Sequence, residues 1–426
     1  MGQAPRNQSN LRRQQERSSE PDPFFHSLGA DWDPCSEAPA SEHTAPRLLP
    51  REIVTGGKSL QCSAFQGWSP GTRIDSLIAS RVEYNRQCAH CLLPRPCCPP
   101  LAKQSMSSLA IKIQTAAELL RAGHLVAFPT ETVYGLGADA TNPIAVAKIF
   151  EAKQRPTFDP LIVHVAEVSE VERLVRRFPE IARRLAAEFW PGPLTLVLPK
   201  RDVIPDLVTA GLPGVAIRIP RHPVAIELLK AAGCPVAAPS ANPFGSISPT
   251  TAQHVADGLG DKVNCIIDGG PCAVGLESTV LSLMHDRPLL LRHGGREVEE
   301  IERIIGPIEI AVANADQEDA AQPAPGMLSR HYAPATRLVV IPHDQAAEPV
   351  GGMRCGLLTY GTQRFSGHFS KLLNLCTEEN LHICATNFFA AMRTLDAADL
   401  DVIMAHEFPG YGLGVAMNDR LRRASH

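Results

Sequence analysis

Apolar and polar positions along the chain follow two regimes that meet near Met106. From residue 107 to about residue 313, short apolar runs alternate with stretches whose apolar residues recur every three or four positions. His124–Phe128, Leu161–Val165, Thr195–Leu198, Val215–Ile219, Pro235–Ala238, Cys265–Ile267 and Thr279–Leu283 read as buried strands. Ala116–Ala122, Pro179–Phe189, Pro223–Ala231, Thr251–Leu259 and Glu297–Ile304 read as helices. A further helix opens at Asn142, an N-cap followed by Pro143 at the first helical position. Ile144, Ala147 and Phe150, with Val146 and Ile149, give it an apolar face. This alternation predicts an α/β domain over residues 107–313 built on a twisted open sheet.

Residues 314–336, rich in Ala, Pro, Asp and Gln, read as a linker. A smaller α/β unit of Rossmann-like pattern is expected over residues 337–426. Its strands are Leu338–Ile341, Cys355–Thr359 and Asp401–Met404, and its helices Glu378–Ala397 and Val415–Ala424. Residues 1–105 show no sustained period of either kind. They hold 12 of the 37 prolines and 6 of the 12 cysteines in a quarter of the chain. The expectation there is a disordered N-terminal extension, with Met106 a candidate translation start. Cys88-x2-Cys91 followed by the adjacent Cys97-Cys98 lacks the repeated knuckle of a zinc site, so no metal site is expected.

Composition narrows the function classes. A net charge of −4 argues against a wholly electrostatic nucleic-acid binder. The chain has no apolar run of the roughly 18 residues that a spanning helix needs. Its first residues lack a signal peptide's apolar region, so no membrane partner and a cytoplasmic location are expected. Twelve cysteines in 426 residues make no disulfide framework.

Five clusters could carry chemistry. Pro129-Thr130-Glu131-Thr132-Val133-Tyr134-Gly135-Leu136-Gly137 follows a strand, and ligands in open α/β sheets sit beyond strand carboxyl ends. Lys153-x-Arg155 ends the Asn142-capped helix, where a point charge beside a guanidinium fork suits phosphate as well as the helix dipole. Pro239-Ser240-Ala241-Asn242 also follows a strand, with Ser248 further along its loop. Arg218 ends the Val215–Ile219 strand and could bind a carboxylate bidentately. Ser278 and Arg292 lie at strand boundaries. His164, within a strand, reads on its own as a core histidine. A Gly-x4-Gly-Lys-Ser/Thr loop, a Gly-x-Ser-x-Gly elbow and a His/Glu zinc-hydrolase helix are all missing. Cations and hydroxyls with no evident nucleophile suggest a site that acts by charge stabilisation and proximity.

In order and spacing these clusters resemble the YrdC/Sua5 family of threonylcarbamoyl-AMP synthases. The resemblance rests on Phe128-Pro-Thr-Glu-Thr-Val-Tyr-Gly-Leu-Gly137, Lys153-x-Arg155, Pro160-Leu-Ile-Val-His164, Pro191-Gly-Pro-Leu-Thr195, Arg218-x-Pro220 and Pro239-Ser-Ala-Asn242. Pro325-Gly326-Met327 with His331-Tyr332-Ala333-Pro334 resembles the family's interdomain linker. Gly412-Leu-Gly414 with Asn418-Asp-Arg-Leu421 resembles the end of its C-terminal domain, making this the long, two-domain type. The resemblance implies a YrdC-like catalytic domain and a nucleotidyltransferase reaction. In that reaction L-threonine, bicarbonate and ATP give threonylcarbamoyl-AMP and pyrophosphate, for N6-threonylcarbamoylation of tRNA adenosine. It implies Mg²⁺ accompanying ATP, with no protein-ligated metal. It assigns Lys153, Arg155, Ser240, Asn242, Ser248, Arg292 and Tyr332 to ATP, with Lys153 and Arg155 catalytic. Thr130, Thr132, His164, Arg218 and Ser278 go to threonine. Partners beyond the substrates would be tRNA or the downstream threonylcarbamoyl-transfer complex.

Gly214 stands where relatives carry a threonine and receives no role. Two alternatives were weighed. A hydrogenase-maturation carbamoyltransferase would carry paired Cys-x2-Cys fingers that residues 88–98 do not match. An RNA-binding module could use Arg173, Arg176, Arg177, Arg183 and Arg184, but solvated helix faces explain these more simply.

Overall fold

The computed structural model describes residues 108–311, 322–327 and 331–425. The extension, its cysteines and about half of the linker therefore lie outside the described residues. Among those described, one sheet of ten strands carries the first part of the chain. The strands are β1 (Val126–Phe128), β2 (Gly135–Asp139), β3 (Ile162–His164), β4 (Leu194–Pro199), β5 (Gly214–Arg218), β6 (Val236–Ala237), β7 (Cys265–Ile266), β8 (Thr279–Ser282), β9 (Leu289–Arg292) and β10 (Glu309–Ile310). Their spatial order is β10-β9-β8-β4-β5-β3-β6-β2-β1-β7. The central strands mix directions: β3 runs parallel to β5, while β6 is antiparallel to both β3 and β2. These directions bring the end of β3 beside the end of β5, with His164 opposite Arg218.

The helices pack by their apolar stripes. Ser108–Arg121 buries Ile113, Ala116, Ala117 and Leu120, and begins eight residues before the expected start. Pro143–Lys153 is capped as its sequence requires, Asn142 Oδ1 accepting from the amides of Ile144 and Ala145 at 3.0 and 3.2 Å. That helix ends on Gln154 in the left-handed region at φ 54°, which turns the chain sharply after Lys153. The Gly135–Gly137 segment, read from sequence as part of a turn, is strand β2, fully buried between β1 and β6.

The second sheet is small and parallel throughout, in the order β11-β14-β12-β13. Its strands are β11 (Leu338–Ile341), β12 (Cys355–Thr359), β13 (Lys371–Asn374) and β14 (Val402–His406), covered by helices Leu381–Asp396 and Leu413–Ala424. The two parts share a hydrophobic cluster: Val133, Ile247 and Leu276 of the first pack with Phe388, Phe389 and Leu413 of the second. Thr386 Oγ1 donates to the Ala273 carbonyl at 2.7 Å across this contact. Beside it Gly275 sits at φ +76°, and a methyl there would meet the Ala385 carbonyl oxygen at 2.4 Å. Gly275→Ala therefore combines a left-handed backbone penalty with overpacking, an expected loss of about 2–4 kcal/mol. Calorimetric unfolding checks this, and an unchanged midpoint would contradict the tight contact.

Candidate active site

The β1, β3, β5, β6 and β9 ends and the start of β8 converge on a narrow cleft with about 50 Å³ of free volume. Thr130, Thr132, Arg155, His164, Arg218, Ser240, Ser278, Arg292 and Tyr332 all line it. Lys153, Asn242 and Ser248 do not.

The loop after β1 is organised by one hydroxyl. Thr130 Oγ1 accepts from the amides of Thr132 and Val133 and donates to the Val133 carbonyl at 2.6 Å. Its proton is thereby committed, so the 2.8 Å contact with Thr132 runs from the Thr132 hydroxyl. Thr132 Oγ1 in turn accepts from Arg218 Nη1 at 2.9 Å. Arg218 also meets Glu131 Oε1 at 2.7 Å, a pair in which both side chains are at most 6% exposed. The backbone N–H of Arg221 donates to the other Glu131 oxygen at 2.9 Å. Glu131 thus fixes the guanidinium expected to take a carboxylate.

Lys153 is 1% exposed and lies behind the cleft wall. Its Nζ donates to the Ser240 carbonyl at 2.6 Å and the Asn242 carbonyl at 2.5 Å. Burial first, then the neighbouring Arg155, pushes its ammonium well below the usual lysine range. Arg155 does reach the cleft, fastened by an ion pair to Asp159 at 2.9 Å and by the Asp159 and Pro160 carbonyls. Burial pushes the Asp159 carboxyl up, against the pull of Arg155 and Lys153.

On the opposite wall Arg292 donates through Nε and Nη2 to the Ser278 carbonyl and through Nη1 to the Pro325 carbonyl of the linker at 2.9 Å. The Ser278 hydroxyl is 2.7 Å from Thr195 Oγ1. Tyr332, 2% exposed, holds a left-handed φ of 63°. Its ring lies 5.8 Å from that of Phe389, and its hydroxyl has no hydrogen-bond partner among the described residues. Only a glycine fits beneath it, since a methyl on Gly326 would come within 2.5 Å of that hydroxyl. His164 also lines the cleft, its Nδ1 buried without a partner. Burial and then Arg218 push its imidazole down to about 3, so the ring is neutral near pH 7.

The structure places three of the expected ligand residues outside the cleft lining. Asn242 donates from Nδ2 to the Pro243 and Ser246 carbonyls, while its buried Oδ1 has no partner among the described residues. Ser248 is fully buried and donates to Glu277 at 2.5 Å. Lys153 supports the Ser240 loop from behind. Each was selected for its chemistry, whereas local backbone carbonyls and a buried carboxylate claim it first. Glu131, Asp159 and Glu277 carry no anion-site signal of their own in the sequence, since a carboxylate opposes a bound anion until an arginine pairs with it. The i,i+4 spacing of Arg155 and Asp159 was a signal for one of them. The basic helix face is partly neutralised: Arg176 pairs with Asp202 and Arg183 with Glu172, both at 2.8 Å.

Comparison with known proteins agrees with this geometry. A family model described as "Telomere recombination" (Sua5_yciO_yrdC) matches residues 118–294, and one described as "Threonylcarbamoyl-AMP synthase, C-terminal domain" matches residues 297–426. A threonylcarbamoyl-AMP synthase of Pyrococcus abyssi is 45% identical over 325 residues, 74% of this chain and 94% of that protein. One of Bacillus subtilis is 46% identical over 324 residues, covering 74% and 93%. The crystal structure of P. abyssi Sua5 complexed with L-threonine superposes with a TM-score of 0.68 at 43% identity, covering 74% of this chain and 94% of that one. With both of its parts matched in order by relatives covered nearly end to end, the chain belongs to the two-domain Sua5 family of threonylcarbamoyl-AMP synthases.

Proposed function

We propose that this chain is an L-threonylcarbamoyladenylate synthase, a cytoplasmic nucleotidyltransferase that joins L-threonine, bicarbonate and ATP with release of pyrophosphate for tRNA threonylcarbamoylation. One observation carries the reading. Arg292, nine-tenths or more buried, is held by neutral carbonyls and makes no ion pair among the described residues. Buried positive charge without a counter-ion is costly. A nucleotide triphosphate in the cleft supplies the missing charge.

The cleft then divides into two poles. Arg218, fixed by Glu131, takes the threonine carboxylate, and Thr130, Thr132, Ser278 and the neutral His164 surround the amino acid. A neutral imidazole accepts a proton or a hydrogen bond without repelling the substrate ammonium. Arg155, Ser240, Arg292 and Tyr332 face the nucleotide, while Lys153, Asn242 and Ser248 act on it through the loop they hold. Carboxylation of the threonine nitrogen gives a carbamate whose oxygen attacks the α-phosphorus, and pyrophosphate leaves. Two anions must meet, so cationic side chains lower the barrier. The cleft carboxylates Glu131, Asp159 and Glu277 are each committed to an arginine. A Mg²⁺ ion would therefore be held by phosphate oxygens, where it screens their charge. A linker bearing Tyr332 over the cleft excludes water from the mixed anhydride product.

Pyrophosphate release from ATP should require threonine and bicarbonate together; release indifferent to threonine would overturn the reading. Lys153→Ala and Arg155→Ala should each lower kcat/KM about 10²–10³-fold, the scale of one lost electrostatic stabiliser, with circular dichroism confirming the fold. Full activity in both would mean that phosphate binds elsewhere.

The histidine makes a prediction for pH. Its folded value of about 3 lies below the ordinary 6.5, and His331 shifts the same way through burial. Their contribution to stability is present above pH 6.5 and is lost as pH falls from there toward 3, because the unfolded chain takes up the protons first. His164→Asn should flatten the decline in denaturant midpoint between pH 6.5 and 4.5. An identical decline in the variant would contradict the buried neutral ring.

A further inference from the structure

Arg420 lies in the last helix, far from the cleft in sequence, yet it is the largest fully buried side chain of the described residues, with 0% exposure. Its Nε and Nη2 both donate to Glu277 Oε2 at 3.2 Å. Its Nη1 donates to the His293 carbonyl at 2.7 Å. Its guanidinium carbon sits 5.2 Å from the centre of the Tyr332 ring. Glu277 immediately precedes Ser278, and His293 immediately follows Arg292. Tyr332 itself lines the cleft. One side chain of the C-terminal domain therefore grips three neighbouring walls of the cleft at once. Asp419, at 3.2 Å from Nη1, is its remaining acidic neighbour.

Charge gives the grip a second consequence. Glu277 lines a cleft whose proposed occupant is a triphosphate. An unpaired carboxylate there would repel the phosphates, and a buried one is costly in itself. Arg420 pairs with one Glu277 oxygen while Ser248 donates to the other. The domains are also joined independently of this arginine, through the Thr386 hydrogen bond and through Arg393, which donates to the Ile247 carbonyl.

We propose that Arg420 is a positioning residue for catalysis: it cancels the Glu277 charge and locks Ser278, Arg292 and Tyr332 into one closed arrangement around the nucleotide. The proposal rests on the synthase reading and names what the C-terminal domain contributes to it. A planar fork is required, since one ammonium group cannot reach two strand ends and an aromatic face together.

The test compares Arg420→Lys, the double variant Arg420→Met/Glu277→Gln, and Thr386→Val as an interface control. The double variant removes both buried charges, so neither is left unpaired. Steady-state pyrophosphate release is measured against ATP and threonine, and hydrogen–deuterium exchange is followed in the full-length proteins. Arg420→Lys should lose at least about tenfold in kcat/KM with raised KM for ATP. The double variant, with no carboxylate left to repel phosphate, should lose at least about tenfold in kcat/KM through kcat, with KM for ATP near the parent's, while Thr386→Val stays within twofold of the parent. Exchange should rise together in peptides covering residues 276–279, 290–294 and 331–334, with residues 381–396 unchanged. A folded double variant with kcat/KM within twofold of the parent overturns the proposal, and so does unaltered exchange in those three segments. An inactive parent protein would sink the synthase reading alone, and the exchange result would still decide the role of Arg420.

Discussion

Positive charge that must be kept out of water governs this molecule. Three cleft-side arginines carry their counter-charges with them: Arg155 with Asp159, Arg218 with Glu131 and Arg420 with Glu277. Arg292 has backbone carbonyls instead. Carbonyl dipoles satisfy the donors but leave the net charge uncancelled. The fold can hold such groups because they are also its fasteners. Lys153 ties the Ser240 loop to the Asn142-capped helix, and Arg292 ties the linker to β8. The groups that make anion binding favourable are the groups that shape the cleft, so binding and closure are coupled through the same atoms.

The described linker residues are held by both parts of the protein. It is attached by the Arg292 bond to Pro325 and the His331 amide to the Arg423 carbonyl. The Ala333 amide bonds to the Gly245 carbonyl at 2.8 Å and the Gln322 amide to Phe158 at 3.0 Å. The aromatic contacts of Tyr332 with Phe389 and His331 give the closed form its register. The left-handed backbone at Tyr332 is tolerated because the buried ring on either side over-determines it.

Much of the fold was legible because its signals are local. Asn142-Pro143 announced a helix start, and the apolar runs at Leu161, Thr195 and Val215 announced the central strands. The apolar run of β9, Leu289–Leu291, carries such a signal but is not among the expected strands; other elements that escaped had none. β10 is exposed along its length and β13 alternates between half-buried and exposed, so neither reads as an apolar run. β2 is glycine-rich because it is squeezed between neighbours, and that composition imitates a turn. At the site, nine of the twelve expected residues face the cleft, seven brought there by strand ends, Arg155 by a helix end and Tyr332 by the linker. Lys153, Asn242 and Ser248 do not, because their side chains answer to carbonyls and a carboxylate that only the folded loop presents. The carboxylates were illegible for a related reason: each serves an arginine distant in sequence, apart from the Arg155–Asp159 pair.

The same reasoning explains why a chain with a complete catalytic sheet would carry a second domain. Glu277 is needed where it stands, since its carboxylate receives the Ser248 hydroxyl and its backbone carbonyl accepts from Gly295 at 2.8 Å, fixing β8 against the start of the following loop. A negative charge at that point nevertheless opposes the triphosphate proposed for the cleft. Removing the carboxylate would release the loop, whereas leaving it bare would weaken the field made by Arg155 and Arg292. A cation delivered from outside the sheet resolves the conflict without disturbing either strand. A helix at the far end of the chain can provide one only if its domain is docked, which makes docking of the C-terminal domain a condition for the cleft's electrostatics rather than an ornament to them.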